Sequence, residues 1–143
     1  EADALMDTPL SPVCTPEIAE RLHGPADLAR EVLLRSYRPD EWPRWFAAAQ
    51  LPAPRLRGPV FDSSVTMAAA AEQGTGVALL PPAMFSPALR AGRLVQPFAT
   101  GITLGAYWLT RLKSRPVTPA MADFRSWLLA THAAERPMPE VVG

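Results

Sequence analysis

Asp62, Ser63, Ser64 and Thr66 place four side chains with oxygen acceptors or hydroxyl donors within one short segment, Asp62-Ser63-Ser64-Val65-Thr66. Such groups can satisfy the unpaired N–H groups of a helix's first turn, or hydrogen-bond a carboxylate, phosphate or amide ligand brought to it. On spacing alone the simplest reading of Ser64 is a cap for its own helix, with a ligand contact as the alternative. Nucleophilic catalysis finds no support. No serine-hydrolase elbow is present, and the single cysteine, Cys14, has neither His23 nor His132 near it in sequence.

The elements that would position this segment are legible on either side of it. Val60 and Phe61 end an apolar strand, and Val65 to Gln73 is rich in alanine, the best helix former, so a helix begins near Ser64. Gly74 and Gly76 supply the positive-φ freedom expected at a helix end, and Gly76 to Pro81 reads as a short buried strand. The whole is a βαβ unit. Its strands are expected to be parallel, and ligands of such sheets lie beyond the strands' carboxyl ends, where Ser63 and Ser64 stand.

Other elements follow in chain order. Leu10 to Cys14 is strand-like, and Thr15-Pro16-Glu17 starts a short helix ending near His23 and Gly24, with His23 as a partner for the helix dipole. Pro25 to Leu28 is a further helical turn or a loop, and Val32 to Tyr37 is the next strand. Asp40 caps a helix in which Trp42, Trp45, Phe46 and Ala49 recur at i, i+3, i+4 and i+7, a stripe read as core. Arg55 and Arg57 lie in a proline-rich, solvated connection, and Arg35, Tyr37 and Trp42 are read as surface or core.

Short helical turns run over 82–85 and 87–91 and end at Gly92, and 94–98 makes an edge strand weakened by Pro97. Ile102 to Leu112 is strand-forming, and Thr118-Pro119 starts a final helix whose apolar face is Met121, Phe124, Leu128 and Thr131 with Trp127 beside them.

Composition narrows the function classes. With 143 residues, 48% of them hydrophobic, the chain can bury a core without disulfides, and one buried thiol suits a reducing, cytoplasmic setting. Fourteen basic residues balance fourteen acidic ones without a basic stripe, so this stretch does not itself read as a nucleic-acid binder. No apolar run reaches the ~18 residues of a membrane span. Phosphate-loop, dinucleotide and metal-ligand spacings are absent, so neither a cofactor nor a metal is expected.

Several phrases taken together resemble one family. Pro9–Glu17, Leu33–Tyr37 with Asp40–Trp42, Trp45–Phe46, Phe61–Ser64, Gly76–Leu79, Met84–Phe85, Gln96–Ala99 and Tyr107–Thr110 are similar to the effector-binding domain of LysR-type transcriptional regulators, and within them to the AmpR/PenR regulators of β-lactamase expression. The resemblance runs to about Leu129, and the Phe61–Ser64 and Tyr107–Thr110 blocks carry it most specifically.

That resemblance implies an α/β, periplasmic-binding-protein-like (type 2) effector-binding domain: mainly its second lobe, residues 1–106, with the return crossing and C-terminal helix of the first lobe over 107–136 and a disordered tail at 137–143. The effector would lie in the interlobe cleft, with Ser64 and Tyr107 matching the family's pocket positions and Ser63, Asp62 and Thr66 as neighbours. It also implies muropeptide effectors, namely UDP-N-acetylmuramyl pentapeptide and anhydro-muropeptides, and dimers or tetramers. Promoter DNA would be bound only through a helix-turn-helix domain outside this stretch. Robbed of most of its lobe, the last helix is expected to fray, dock elsewhere or pack on a second copy. A solute-binding lobe of a transport system and a ligand-independent oligomerisation module remain the alternatives.

Overall fold

A computed structural model describes residues 1–135, which divide into two compact units, Thr8–Leu104 and Glu1–Asp7 together with the chain from Gly105 onward. The tail expected at 137–143 lies outside the described residues.

In the larger unit four strands form one mixed sheet in the order β2-β5-β3-β4, where β2 is Ser11–Val13, β3 Leu33–Ser36, β4 Val60–Phe61 and β5 Val77–Leu80. β3 runs parallel to both β4 and β5, while β2 is antiparallel to β5. The crossover expected between β4 and β5 therefore steps over β3, which lies between them. Its helix is α3, Ser64–Glu72.

Successive strand residues point to opposite faces, and both faces are covered, so the strands read as unbroken apolar runs. Leu33, Val77 and Leu79 belong to one core with Ile18, Leu28 and Trp45; Leu34, Ala78 and Leu80 belong to the other with Met67, Ala71 and Leu94. The first core rests on α2, Glu41–Ala48, and the second on α3 with α4, Ser86–Arg90. The aromatic stripe is core as expected. Trp42, Trp45 and Phe46 are buried, with Trp45 and Phe46 edge to face at 5.4 Å. Each buried indole N–H finds a carbonyl, Trp42 Nε1 donating to Leu34 O at 2.8 Å and Trp45 Nε1 to Thr100 O at 3.0 Å.

Several local expectations are corrected. α1, Pro16–Ala19, ends before His23, whose backbone N–H instead donates to Asp27 Oδ2 at 2.8 Å, next to the 3-10 turn Pro25–Arg30. Asp40 precedes α2 without a side-chain cap bond, since its backbone (φ −94°, ψ −6°) is not extended as a cap requires, and its carboxylate pairs with Arg44 Nε at 3.0 Å. Gly74 has the positive φ of a helix end, +75°, but Gly76 does not. Glycine is required at 76 by proximity, since a Cβ there would lie 2.3 Å from the Val32 carbonyl oxygen. The strand expected over 94–98 reduces to one bridge, Cys14 with Val95.

The smaller unit pairs β1, Ala2–Asp7, antiparallel with β6, Ala106–Thr110. Residues 1–7, expected with the rest of 1–106, group instead with the C-terminal segment, because their backbone hydrogen bonds go to a strand some hundred positions away. α5, Pro119–Glu135, lies against β1 and starts as expected, with Thr118 Oγ1 accepting the Met121 N–H at 3.2 Å.

Candidate functional site

The turn from β4 into α3 is built by Asp62, Ser63 and Ser64. Ser63 is the cap: its backbone is extended (φ −139°, ψ 135°) and its Oγ accepts the Val65 N–H at 3.2 Å. Its carbonyl accepts both the Met67 N–H, at 3.0 Å, and the Thr66 hydroxyl, at 2.9 Å. The cap expected at Ser64 is thus corrected by one position. Ser64 is the first helical residue, exposed, and its hydroxyl makes no hydrogen bond among the described residues.

This division of labour follows from the backbone. A cap residue must be extended so that its side chain can fold back on the first turn, and Ser63 is. Ser64 already has helical geometry, so its side chain points outward from the first turn, beside N–H groups that precede the first intrahelical bond. The dipole of α3 adds positive potential there. The turn can therefore donate several hydrogen bonds to an anionic or carbonyl-bearing group. Asp62, exposed beside it, is an acceptor for a ligand amide or ammonium.

The sheet puts this turn where a ligand is expected. Ser36 pairs with Phe61 in the parallel β3–β4 ladder, so the two strands end together and 37–38 leave the sheet beside 62–64. At that end Ser36 Oγ donates to Glu41 Oε2 at 2.7 Å and accepts the Arg38 N–H at 3.0 Å. Arg35 Nε donates to the Gly58 carbonyl at 2.7 Å. Trp42 is core and Tyr37 is surface, 67% exposed. Arg38 was not singled out by the sequence. Its signal is positional: it follows a strand whose neighbour ends in the candidate turn.

Asp62, Ser63, Ser64 and Thr66 are brought together on one turn. Tyr107 belongs to the other unit, on β6 opposite Met6, with its side chain half exposed.

The remaining candidate groups have structural roles. Cys14 is fully buried, and burial pushes its thiol up to about 11, with the Glu31 carboxylate adding to the effect and Arg21 opposing it, so it is a poor nucleophile. Among the described residues no cluster of three His, Cys, Asp or Glu side chains could hold a metal ion. No helix among them is long and apolar enough to cross a membrane.

The family model described as "LysR substrate binding domain" matches residues 1–133. The HTH-type transcriptional activator AmpR of Pseudomonas aeruginosa is 56% identical over 137 residues, which cover 94% of this chain and 46% of that protein. The chain thus spans about half the length of this curated relative.

Among solved structures, the effector domain of the Pseudomonas aeruginosa regulator AmpR superposes with a TM-score of 0.90 at 56% identity, over 94% of this chain and 66% of that one. A Citrobacter freundii effector binding domain carrying three substitutions, threonine to valine, serine to alanine and tyrosine to phenylalanine, superposes with a TM-score of 0.87 at 46% identity, over 92% of this chain and 68% of that one.

Proposed function

Because the chain belongs to the LysR substrate-binding domain family, a family of transcriptional regulators with the type 2 periplasmic-binding-like α/β fold, we propose that it is the ligand-sensing part of a regulator controlling β-lactamase expression in response to cell-wall muropeptides. The observation that carries this reading is the release of Ser64 from capping. Ser63 satisfies the helix start, and the neighbouring hydroxyl, free among the described residues, stands at the carboxyl end of a parallel sheet.

A second observation supports it. The serine and the tyrosine replaced in the solved Citrobacter freundii variant are separated by the same number of positions as Ser64 and Tyr107. Both replacements there remove a hydroxyl and little else. In this reading Ser64 and Tyr107 bond the effector, and Ser63, Asp62 and Thr66 shape the turn around Ser64. In it residues 1–7 and 105–135 belong to the first lobe, and 8–104 to the second.

The effectors proposed are UDP-N-acetylmuramyl pentapeptide as repressing ligand and anhydro-muropeptides as activating ones, both met in the cytoplasm. The complete regulator would be an oligomer, dimer or tetramer, that reaches promoter DNA through a separate helix-turn-helix domain. Ligands act by binding one of two conformations better, which shifts their populations and the geometry presented to DNA.

The test is an amide chemical-shift titration of the complete effector domain with UDP-N-acetylmuramyl pentapeptide. Shifts clustering at Ser63 to Met67 and at Tyr107 support the reading. Loss of one pocket hydrogen bond in Ser64→Ala or Tyr107→Phe should weaken binding by about 0.5–1.5 kcal/mol, more against a charged ligand group. Unchanged affinity and an unchanged induction response in both variants would overturn it in favour of a ligand-independent oligomerisation module.

A further inference from the structure

Next to the candidate turn, at the carboxyl end of β3, lies an open pocket of about 210 Å3 walled by Trp42, Leu56 and Val60, with Arg35, Tyr37 and Arg38 at its polar side. All of it belongs to the larger unit. It combines unpaired positive charge with a place beside the candidate turn. Arg21, Arg30, Arg44, Arg93, Arg111 and Arg125 each have a carboxylate partner. Among the described residues Arg35 and Arg38 have none; the same holds for Arg55, Arg57, Arg90, Lys113 and Arg115, but of all these only Arg35 and Arg38 line the pocket beside the candidate turn.

The acids closest to them are already committed. Asp40 pairs with Arg44 at 3.0 Å, and Glu41, buried, accepts from Ser36 Oγ at 2.7 Å. The two guanidinium groups are also oriented. Arg35 is held through Nε on the Gly58 carbonyl, which leaves its Nη groups for a ligand, and Arg38 lies over the Tyr37 ring with Cζ 5.8 Å from the centroid. Two cations without acidic partners, fixed at one pocket and backed by apolar walls, match a group carrying two negative charges and several acceptor oxygens. A single carboxylate would engage one of them; a diphosphate diester engages both, with the bidentate fit that guanidinium offers to phosphate oxygens.

We propose that Arg35 and Arg38 bind the diphosphate of a nucleotide-linked effector, and so distinguish diphosphate-bearing muropeptides from phosphate-free ones at the same end of the sheet as Ser64. The link to muropeptides rests on the function proposed above; the diphosphate pocket itself does not. The device explains how one site could read two related ligands. The peptide and sugar would meet the Ser64 turn in both cases, and only the nucleotide-linked ligand would add the arginine contacts.

The experiment uses the complete effector domain and four probes: UDP-N-acetylglucosamine, which has the diphosphate but no peptide, UDP-N-acetylmuramyl pentapeptide, a phosphate-free anhydro-muropeptide, and inorganic phosphate at matched ionic strength. The UDP-sugar is expected to shift the amides of Arg35 to Arg38 and to lose about tenfold in affinity in Arg38→Gln, with part recovered in Arg38→Lys. UDP-N-acetylmuramyl pentapeptide should lose a similar factor, while the anhydro-muropeptide should change by less than about twofold. The inference is overturned if the UDP-sugar leaves these amides unmoved, if Arg38→Gln weakens both muropeptides alike, or if inorganic phosphate competes as well as the UDP-sugar, which would mark an adventitious anion site only. Failure of the functional reading looks different: the UDP-sugar would still shift Arg35 to Arg38 while neither muropeptide moved the Ser63–Met67 amides.

Discussion

Ser63 Oγ accepts the Val65 N–H at 3.2 Å, and this one bond separates two adjacent serines into a structural hydroxyl and one that is free among the described residues. The separation can be measured without any ligand. Ser63→Ala should destabilise the fold by about 0.5–2 kcal/mol, the usual cost of losing a cap. Ser64→Ala should stay within about 0.5 kcal/mol, as for exposed positions without such a feature. Urea denaturation of the two variants checks it, and equal losses would return Ser64 to the cap.

Two glycines are held by closeness to backbone. A Cβ at Gly58 would lie 1.9 Å from the Leu33 carbonyl oxygen and one at Gly76 2.3 Å from that of Val32, a carbonyl that also accepts the Val77 N–H at 2.8 Å. Alanine at either position must push β3 away from its neighbour, and we expect a loss of more than about 2 kcal/mol. Gly24→Ala, where a Cβ meets nothing within 4 Å, should be neutral or slightly stabilising. Thermal melts of the three variants would show the contrast.

The Cys14 thiol sets a pH dependence at the alkaline side. Its ordinary value is 9.0 and burial raises it to about 11 in the folded chain. The unfolded chain therefore releases its proton first as pH rises, and stability fully present below pH 9 is lost progressively through pH 11. Urea midpoints at pH 8 and pH 10 should differ in the wild type and lose this component in Cys14→Ala. Iodoacetamide at pH 8 should label Cys14 only after denaturation.

α5 presents Phe124 and Trp127 at 52% and 60% exposure, their rings 5.9 Å apart, and part of the solved effector domain has no counterpart in this chain. Such an apolar face lacks the packing that stabilises helices in water. The isolated chain should show low hydrogen-exchange protection over 119–135, or concentration-dependent self-association abolished by Trp127→Glu. A fully protected α5 in a monomer would contradict this.

Within the same unit Asp3 joins Arg125, which donates from Nε at 2.7 Å and holds the Asp3 carboxyl below its ordinary value of 3.8. The depressed value means that the pair's support of the folded state is fully present above pH 3.8 and is lost as pH falls below that through the lowered value. Asp3→Asn should remove this acid dependence and raise exchange in α5 at neutral pH. Comparing exchange at pH 3 and pH 6 in both proteins checks it.

The sequence alone determined what short-range physics decides. The alanine run, the hydroxyls before it and Gly74 after it marked α3 to within a residue, and Thr118-Pro119 marked the start of α5. The spacing of Trp42, Trp45 and Phe46 announced a buried face. Each of these signals lies within one or two turns of the chain, where capping, propensity and periodicity act.

Tertiary structure decided whatever depends on a distant partner. β1 had no readable pattern because its partner is β6, and only that pairing takes residues 1–7 out of the larger unit. Gly76 reads in sequence as a second helix-end glycine because the Val32 carbonyl that forbids a side chain there is forty-odd positions away. Arg38 gains its place at the pocket only because β3 and β4 end together. Choosing between Ser63 and Ser64 required one backbone angle, since the residue that stays extended is the one whose hydroxyl the helix uses.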